Sequence, residues 1–383
     1  MNTEGGPLDT LQVLEPSGGG SGRHFVDLCG ALCAGGHRVT AIYSPTRAER
    51  KFIDELEALP LRSIIPVAMN RAPSPSDFSA WRAIGRIIRD NGPFDIIHGH
   101  SSKAGALVRL ALPRRQVPRI YTPHAFRTMD PTLGKGAALV YGAIESLLGR
   151  FFSDAVICVS DDEKEHAAKA LRIPERRLHA VVNGVGPPPV ADRAGMRARL
   201  GLRPDSFVFG FVGRLSAQKA PERLIEAFHR IAGQRPHTDL VMVGFGELQE
   251  DVALRIRETG LSERTHLTSG VTGAEAMQAF DALVMPSRYE AMSYVMLEAA
   301  AAGLPMVLTD VGGASTVVDH GANGFIVPNS DDPGELAKAM LTLSSPSAHA
   351  DMKQAAEARK DRYALSAMAA QTEAVYRHVL RPR

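Results

Sequence analysis

Two glutamates eight residues apart, Glu290 and Glu298, stand in the run Pro286-Ser287-Arg288-Tyr289-Glu290-Ala291-Met292-Ser293-Tyr294-Val295-Met296-Leu297-Glu298. Ser287 to Tyr294 reads as a loop leading into a helix, so backbone N–H groups near Ser293–Val295 lack intrahelical partners and form an anion site. A carboxylate at Glu298 suits a ribose diol, because it can accept two O–H hydrogen bonds. Upstream, Gly213-Arg214-Leu215-Ser216-Ala217-Gln218-Lys219 follows an apolar run. Arg214 as a fork and Lys219 as a point charge could clamp a diphosphate just past a strand end. Taken alone, two surface cations are the simpler reading. The first apolar run ends in Pro16–Gly22, where Gly18, Gly19 and Gly20 let backbone N–H groups approach a phosphate or sugar. A plain tight turn has the same composition. The pattern is not GxGxxG, and Tyr43-Ser44 rather than an acid ends the second strand, which disfavours a nicotinamide dinucleotide.

These segments need rigid elements to hold them. Short apolar runs alternate with helical patterns along the chain, the signature of parallel sheets covered by helices on both faces. Strands are predicted at Leu11–Leu14, Val39–Tyr43, Ile64–Val67, Asp95–His98, Arg119–Thr122, Ala155–Val159 and His179–Val182. A second series falls at Phe207–Val212, Leu240–Val243, Thr265–Leu267, Ala282–Met285, Met306–Thr309 and Phe325–Val327. Arg23–Ala34 reads as a helix stopped by Gly35-Gly36. Ala137–Phe151 reads as another, whose stripe of Val140, Tyr141, Ile144, Leu147, Leu148 and Phe151 is expected in the core, with membrane insertion as the alternative. The Pro/Gly cluster Gly184–Pro189 separates two domains, 1–186 and 187–351. The last helix, roughly Met352–Leu380 within 352–383, is expected to pack back on the first domain.

With 383 residues the chain exceeds one hydrophobic core. Cys29, Cys33 and Cys158 form no disulfide framework, and no CxxC or His/Cys cluster suggests zinc. No apolar run approaches a bilayer-spanning length and Met1–Thr10 lacks signal-peptide blocks, so a cytoplasmic location is expected. Net charge is +2, but residues 1–190 hold 23 Lys and Arg against 19 Asp and Glu. Arg82 to Arg127 holds nine basic residues and two acids, with Arg82, Arg86 and Arg89 on one helical face. That is either a solvated face or a patch for anionic lipid headgroups or a phosphorylated acceptor. No recognition motif or aromatic series supports nucleic acid.

Glu290 and Glu298 reproduce the E-x7-E motif of retaining glycosyltransferases of family 4, which have the GT-B fold. Val212-Gly213-Arg214-Leu215 with Lys219, Val243-Gly244-Phe245-Gly246, Gly303-Leu304-Pro305 and Asn183-Gly184 resemble the same family. The resemblance runs from about Leu11 to Pro328 and implies an α/β chain of two Rossmann-like, doubly wound domains facing across a cleft. The first domain would bind the acceptor and the second the nucleotide sugar. Arg214 and Lys219 would bind the donor diphosphate, Glu298 the ribose, and Glu290 with the backbone of Met292, Ser293, Tyr294 and Val295 the donor sugar and phosphate. Gly19 and Gly20 match the family's first loop loosely. His98-Gly99-His100-Ser101-Ser102-Lys103-Ala104-Gly105 and Tyr121-Thr122-Pro123-His124-Ala125 resemble segments of bacterial exopolysaccharide and lipopolysaccharide sugar transferases. His124 matches a histidine that faces the donor sugar there, while His98 and His100 read as structural or acceptor-loop residues. Two positions depart from the pattern: Ala291 and Ala220 replace the glycines usual after the first Glu and after the Lys.

The resemblance implies transfer of a sugar from a UDP- or GDP-linked donor, with retention, to an acceptor, a lipid-linked saccharide in cell-surface polysaccharide assembly. The leaving diphosphate would help deprotonate the acceptor hydroxyl. No DxD motif precedes a suitable strand, and Asp161-Asp162 and Asp331-Asp332 read as helix-start caps, so no metal and no cofactor is expected. Sugar-nucleotide 2-epimerases share the fold and form the alternative activity; a catalytically silent nucleotide-sugar-binding subunit is the third reading.

Overall fold

The computed structural model describes residues 5–70, 74–112, 117–130, 133–189, 192–290 and 292–381. The chain divides into two units, Met1–Gly184 with Leu365–Arg383, and Val185–Ala364. Each is built on a wholly parallel sheet.

In the first unit the strands are β1 (Asp9–Leu14), β2 (Arg38–Tyr43), β3 (Ser63–Pro66), β4 (Ile96–His100), β5 (Arg119–Thr122), β6 (Ala155–Cys158) and β7 (Leu178–Ala180), in spatial order β3-β2-β1-β4-β5-β6-β7. In the second they are β8 (Phe207–Val212), β9 (Thr238–Val243), β10 (Thr265–Thr268), β11 (Ala282–Met285), β12 (Met306–Thr309) and β13 (Gly324–Val327), in order β10-β9-β8-β11-β12-β13. Each sheet is doubly wound. Its order reverses beside the first strand, between β1 and β4 and between β8 and β11, and loops leaving the carboxyl ends there are where such sheets bind ligands.

Strand alternation sorts side chains to the two faces. On β1, Leu11 and Val13 face a core with Ile84 and Ile88 of the Ser76–Asp90 helix and Ala104 and Val108 of the Ser101–Leu110 helix. Leu14 faces the opposite core, with Phe25 and Leu28 of the Gly19–Ala34 helix and Met368, Val375 and Tyr376 of the Leu365–Leu380 helix. Gln12, His98 and His100 fall on this second face and are buried there, so a polar strip runs through an otherwise apolar core. The second unit has one large core around Phe209, Phe211, Phe228 and Met340. Truncating a fully buried phenylalanine of this kind costs about 3–5 kcal/mol.

Several sequence expectations need correction. The span 352–380 is not one helix: Pro346–Glu357 belongs to the second unit, and only Leu365–Leu380 to the first. A short turn at Lys360–Tyr363 separates them, pinned to the second unit by Tyr363 Oη donating to the Thr316 carbonyl and by the Val185 N–H donating to the Tyr363 carbonyl. The helix at Lys135–Phe151 does not bury its stripe. Leu148 is buried, but Val140, Ile144, Leu147 and Phe151 are 46–61% exposed, and Leu139 beside them is 76% exposed. The side turned inward carries Glu145 and Gly149, because Glu145 accepts from Arg109 Nη2 and Tyr121 Oη, both at 2.9 Å.

The basic stretch is also thinner than its composition. Arg109 and Arg119 are buried, Lys103 pairs with Asp77 at 2.5 Å, and Arg114 and Arg115 lie outside the described residues. Arg82, Arg86, Arg89 and Arg127 are exposed. The cap of the Asp161–Lys169 helix is Ser160, whose Oγ accepts from the Glu163 N–H, with Asp161 and Asp162 in the first turn. Asp332 does accept from the Gly334 N–H at the next helix start, whereas Asp331 is an arginine partner. Among the described residues no helix is long and apolar enough to cross a membrane.

Candidate active site

In the second unit the loops after β8 and β11 are tied into one structure. The Arg288 N–H donates to the Gln218 carbonyl at 2.8 Å, Arg288 Nη1 to the Ala217 carbonyl at 2.7 Å, and Gln218 Nε2 to the Tyr289 carbonyl at 3.0 Å. The result brings Lys219 and Glu290 together, Nζ to Oε1 at 2.5 Å, both side chains largely buried. Arg214, at the start of the first loop, is exposed. The β9 exit loop seats against this loop by glycine alone. At Gly244, φ is +151° and a Cβ would lie 1.9 Å from the Gly213 carbonyl oxygen; at Gly246 it would lie 2.4 Å from that of Leu215.

Beyond Glu290, Ser293 is the extended residue before the helix Tyr294–Ala301. Among the described residues no side chain hydrogen-bonds at the cap of this helix and no acid occupies its first turn, so the helix supplies no acid of its own against its positive end. Met292, Tyr294 and Val295 are half-buried at this end, and Glu298 is half-buried one turn on. Ala220 is fully buried in the left-handed conformation, φ +49° and ψ +52°, at the N-cap of the Pro221–Ala232 helix. A glycine suits that position on backbone grounds, and alanine there carries about 1–2 kcal/mol of strain. Ala291 lies outside the described residues.

The sequence reading missed the framework behind this loop. Arg223, 7% exposed, donates to Asp331, to Asn329 Oδ1 at 2.8 Å and to the Pro286 carbonyl at 3.3 Å. Arg288 bridges Glu222 at 2.8 Å and Asp331 at 3.0 Å. Hydrogen bonds from Arg223 and then Arg288 hold the Asp331 carboxyl below the usual carboxylate range. These partners are more than forty positions apart, so no local spacing announces them.

In the first unit a cavity of about 630 Å³ opens at the carboxyl ends of β1, β4 and β5. Gly20, Ser21, Ser101, Ser102, Lys103 and His124 line it, with Glu15 and Arg47 paired at 3.2 Å on its wall. The Gly19 N–H donates to Glu49 Oε1 at 3.1 Å, so a carboxylate already meets the first helical N–H of the glycine loop. Three backbone positions here are left-handed without being glycine: Ser101, His124 and Ala125, with φ of +65°, +55° and +77°. Such conformations concentrate at functional sites, where surrounding structure holds them.

His124 is joined by three more histidines. His98 Nδ1 pairs with Tyr376 Oη at 2.7 Å and its Nε2 with Thr122 Oγ1 at 2.8 Å. His100 Nε2 meets Gln12 Oε1 at 3.0 Å, and its Nδ1 faces His124 Nε2 at 3.3 Å. The His24 ring lies 4.5 Å from that of His124 between centroids. Burial holds all four imidazoles below their ordinary range, His24 at about 4, so they are neutral near pH 7. The alternation in His98-x-His100 signals two rings on one strand face, but only the sheet order brings His24 and His124 to them.

A model described as "Glycosyltransferase Family 4" matches residues 18–187, and one described as "Glycosyl transferases group 1" matches residues 192–359. An Escherichia coli UDP-Gal:alpha-D-GlcNAc-diphosphoundecaprenol alpha-1,3-galactosyltransferase is 32% identical over 62% of this chain, the match spanning 63% of that protein. D-inositol 3-phosphate glycosyltransferase 2 of Catenulispora acidiphila is 30% identical over 76% of this chain and 72% of its own length. Among solved structures, Anabaena HepE in complex with UDP superposes with a TM-score of 0.80 at 20% identity, over 97% of this chain and all of that one. A glycosyltransferase from Rickettsia africae superposes with a TM-score of 0.79 at 18% identity, over 98% and 100%.

Proposed function

Because the chain belongs to the family 4 and group 1 glycosyltransferases of GT-B fold, we propose that it transfers a sugar, with retention at the anomeric carbon, from a nucleoside-diphosphate sugar to a saccharide acceptor carried on a lipid. The observation that supports this reading is that the loops after β8 and β11 are tied together and bring Lys219 to Glu290, with Arg214 on the first loop and the Tyr294–Ala301 helix following the second. On this reading Arg214, the Lys219–Glu290 pair, the N-terminus of the Tyr294–Ala301 helix and Glu298 would act together on the donor.

Lys219 uses one of its three donors on Glu290 and keeps two for a diphosphate. Arg214 adds a fork, and the N–H groups near Ser293, Tyr294 and Val295 add a positive helix end. Glu298 takes the ribose hydroxyls, and Glu290 with Met292 the hydroxyls and phosphate of the donor sugar. These groups stabilise the charge that develops as the bond between the anomeric carbon and the diphosphate oxygen breaks. The acceptor hydroxyl oxygen bonds the same face of that carbon, and its proton passes to the departing diphosphate. No metal or cofactor enters this scheme. In this reading the second unit holds the donor and the first the acceptor, while His124 faces the donor sugar and the Gly19-Gly20 backbone contributes to donor binding; His124 and Gly20 line the first unit's cavity.

We place the protein at the cytoplasmic face of the membrane, held peripherally. The exposed Arg82, Arg86 and Arg89, with Phe78 61% exposed on the same helix, and the apolar side of Lys135–Phe151 support that reading. Anionic lipid headgroups would meet the first, and the acyl boundary the second. The activity test is direct: incubate the full chain with UDP- and GDP-sugars and a polyprenyl-diphosphate saccharide, then determine product mass and anomeric configuration. An inverted product overturns retention. A sugar nucleotide epimerised without acceptor turns the assignment to a 2-epimerase, and nucleotide binding with neither product turns it to a silent subunit.

A further inference from the structure

We propose that His24, His100 and His124 form a binding site for one divalent transition-metal ion, zinc by the character of its donors. The three residues come from three elements of one unit: the Gly19–Ala34 helix, the end of β4 and the loop after β5. One ring nitrogen of each lies within 4.8 Å of the other two. The His100 Nδ1 to His124 Nε2 distance is 3.3 Å. Zinc bonds imidazole at about 2.0–2.1 Å in tetrahedral geometry, which places neighbouring ligand nitrogens about 3.3 Å apart. One edge of the tetrahedron is therefore already set, and closing the others from at most 4.8 Å takes a movement of about 1.5 Å or less.

The surroundings turn one lone pair, that of His100 Nδ1, inward. Gln12 Nε2 donates to Tyr376 Oη at 3.2 Å, which turns its Oε1 to His100 Nε2–H. His100 is thereby fixed with Nδ1 unprotonated and aimed at His124. Tyr376 Oη in turn donates to His98 Nδ1, and His98 Nε2–H to Thr122 Oγ1, so His98 is spent on hydrogen bonds and stands outside the site. His24 is 3% exposed, yet neither of its ring nitrogens makes a hydrogen bond of normal geometry, and Asn183 is its amide neighbour. An amide oxygen behind a metal-binding imidazole is the usual arrangement, since it fixes the tautomer and the ring. A buried imidazole whose one partner is the Asn183 side chain still has a second ring nitrogen without a hydrogen bond, which calls for an explanation, and a metal ion supplies one. His124 also lines the 630 Å³ cavity, which gives an ion its way in.

One consequence rests on the reading of His124 given above: an ion on Nε2 removes that nitrogen from the donor sugar, so zinc inhibits transfer. The metal site itself does not depend on that reading.

The full chain, stripped with EDTA and desalted, is titrated with Co²⁺ while visible absorption is followed, and then with Zn²⁺. One equivalent should develop intense tetrahedral bands, and one equivalent of Zn²⁺ should abolish them. The bands should vanish in His24→Ala and in His24→Gln, which keeps the side-chain volume, and Asn183→Ala should weaken binding by about ten- to a hundredfold. Circular dichroism establishes that each variant is folded, and Asn183→Ala decides if both His24 variants are not. Absence of bands at millimolar Co²⁺, or unaltered bands in the folded variants, overturns the site. Tight binding with undiminished transfer leaves the site standing and removes His124 from the donor sugar.

Discussion

Glu163 Oε1 accepts the backbone N–H of Ala125 at 2.7 Å, across 38 residues of chain. Its Oε2 accepts from the Val159 N–H, also at 2.7 Å, and the Ser160 hydroxyl caps the helix that carries it. The carboxylate therefore fastens the loop in which His124 and Ala125 are both left-handed. Two such residues in succession cost about 1–2 kcal/mol each, and the charged acceptor offsets that cost. Glu163→Ala leaves at least two buried N–H groups unpaired and should destabilise the first unit by roughly 2–4 kcal/mol. In Glu163→Gln, which can accept at only one of the two positions, turnover should fall about tenfold while affinity for the nucleoside diphosphate stays. Unchanged turnover in a folded Gln variant removes Glu163 from any positioning role.

The same carboxyl gives a pH dependence of known sign. Burial pushes Glu163 up to about 7, against the ordinary 4.5 of a glutamate, the N–H groups of Val159, Ala125 and Phe126 offsetting part of the effect. Glu145 contributes like-charge repulsion, and Cys158 and Lys164 are its other titratable neighbours. Between 4.5 and 7 the folded chain binds the proton and the unfolded chain does not, so stability falls as pH rises through that window. The loss amounts to roughly 3 kcal/mol. The four buried imidazoles titrate with the opposite sign, but do so equally in Glu163→Gln. The stability difference between parent and Gln variant, by urea unfolding from pH 4.5 to 7.5, should therefore move by a few kcal/mol. A flat difference contradicts the buried, shifted carboxyl.

The Lys219–Glu290 contact couples two roles read separately from the sequence. Lys219→Ala or Arg214→Ala should weaken nucleotide-sugar binding by roughly 2–4 kcal/mol. Glu298→Ala should weaken even the bare nucleoside diphosphate, whereas Glu290→Ala should act on turnover and the sugar portion. Since Lys219 and Glu290 touch, the double variant should depart from additivity by about 1–3 kcal/mol in donor binding by calorimetry. Strict additivity would show that the pair is not kept in the donor complex.

Transfer should survive chelation. In the proposed donor site Arg214, Lys219 and a helix N-terminus would meet the diphosphate, which would leave a divalent ion no charge to supply there. Complete loss of product in excess EDTA, restored by Mn²⁺ or Mg²⁺, refutes this. A rise in rate on adding EDTA would agree with an inhibitory ion on the histidine cluster.

What the sequence made legible was whatever rests on local period. Phe207–Val212, Arg119–Thr122, Ala282–Met285 and Met306–Thr309 are strands end to end, because each is a short run buried on both faces and closed by a turn residue. The placement of the loops that carry Arg214–Lys219 and Glu290 was legible for the same reason, as each follows directly from a strand end. The environment of Glu163, Arg223 and His24 was not, since their partners are set by sheet order. The Lys135–Phe151 stripe misled because its period was right and its direction wrong: Glu145 turns inward to Arg109 and Tyr121, and the apolar residues face outward. Composition misled in the basic stretch, where burial takes Arg109 and Arg119 out of any surface patch.

That misdirected stripe changes how membrane attachment should be tested. Among the described residues of that stretch, charge alone now rests on Arg82, Arg86, Arg89 and Arg127, of which Arg127 lies 3.8 Å from Asp130. Each basic residue near an anionic surface contributes about 1 kcal/mol, so three give weak binding that salt screens within about 8–10 Å. Exposed Leu139, Val140, Ile144, Leu147 and Phe151 would add an apolar contribution at about 25 cal/mol per Å² buried, insensitive to salt. Sedimentation with anionic vesicles at low and high salt separates the two. Changing Arg82, Arg86 and Arg89 to Glu should abolish the salt-dependent part and lower binding more than tenfold at low salt. Changing Ile144 and Leu147 to Asp should lower what remains at high salt, without altering the salt slope. If the parent ignores anionic vesicles at low salt, both faces are merely solvated, and a soluble acceptor replaces the lipid-linked one.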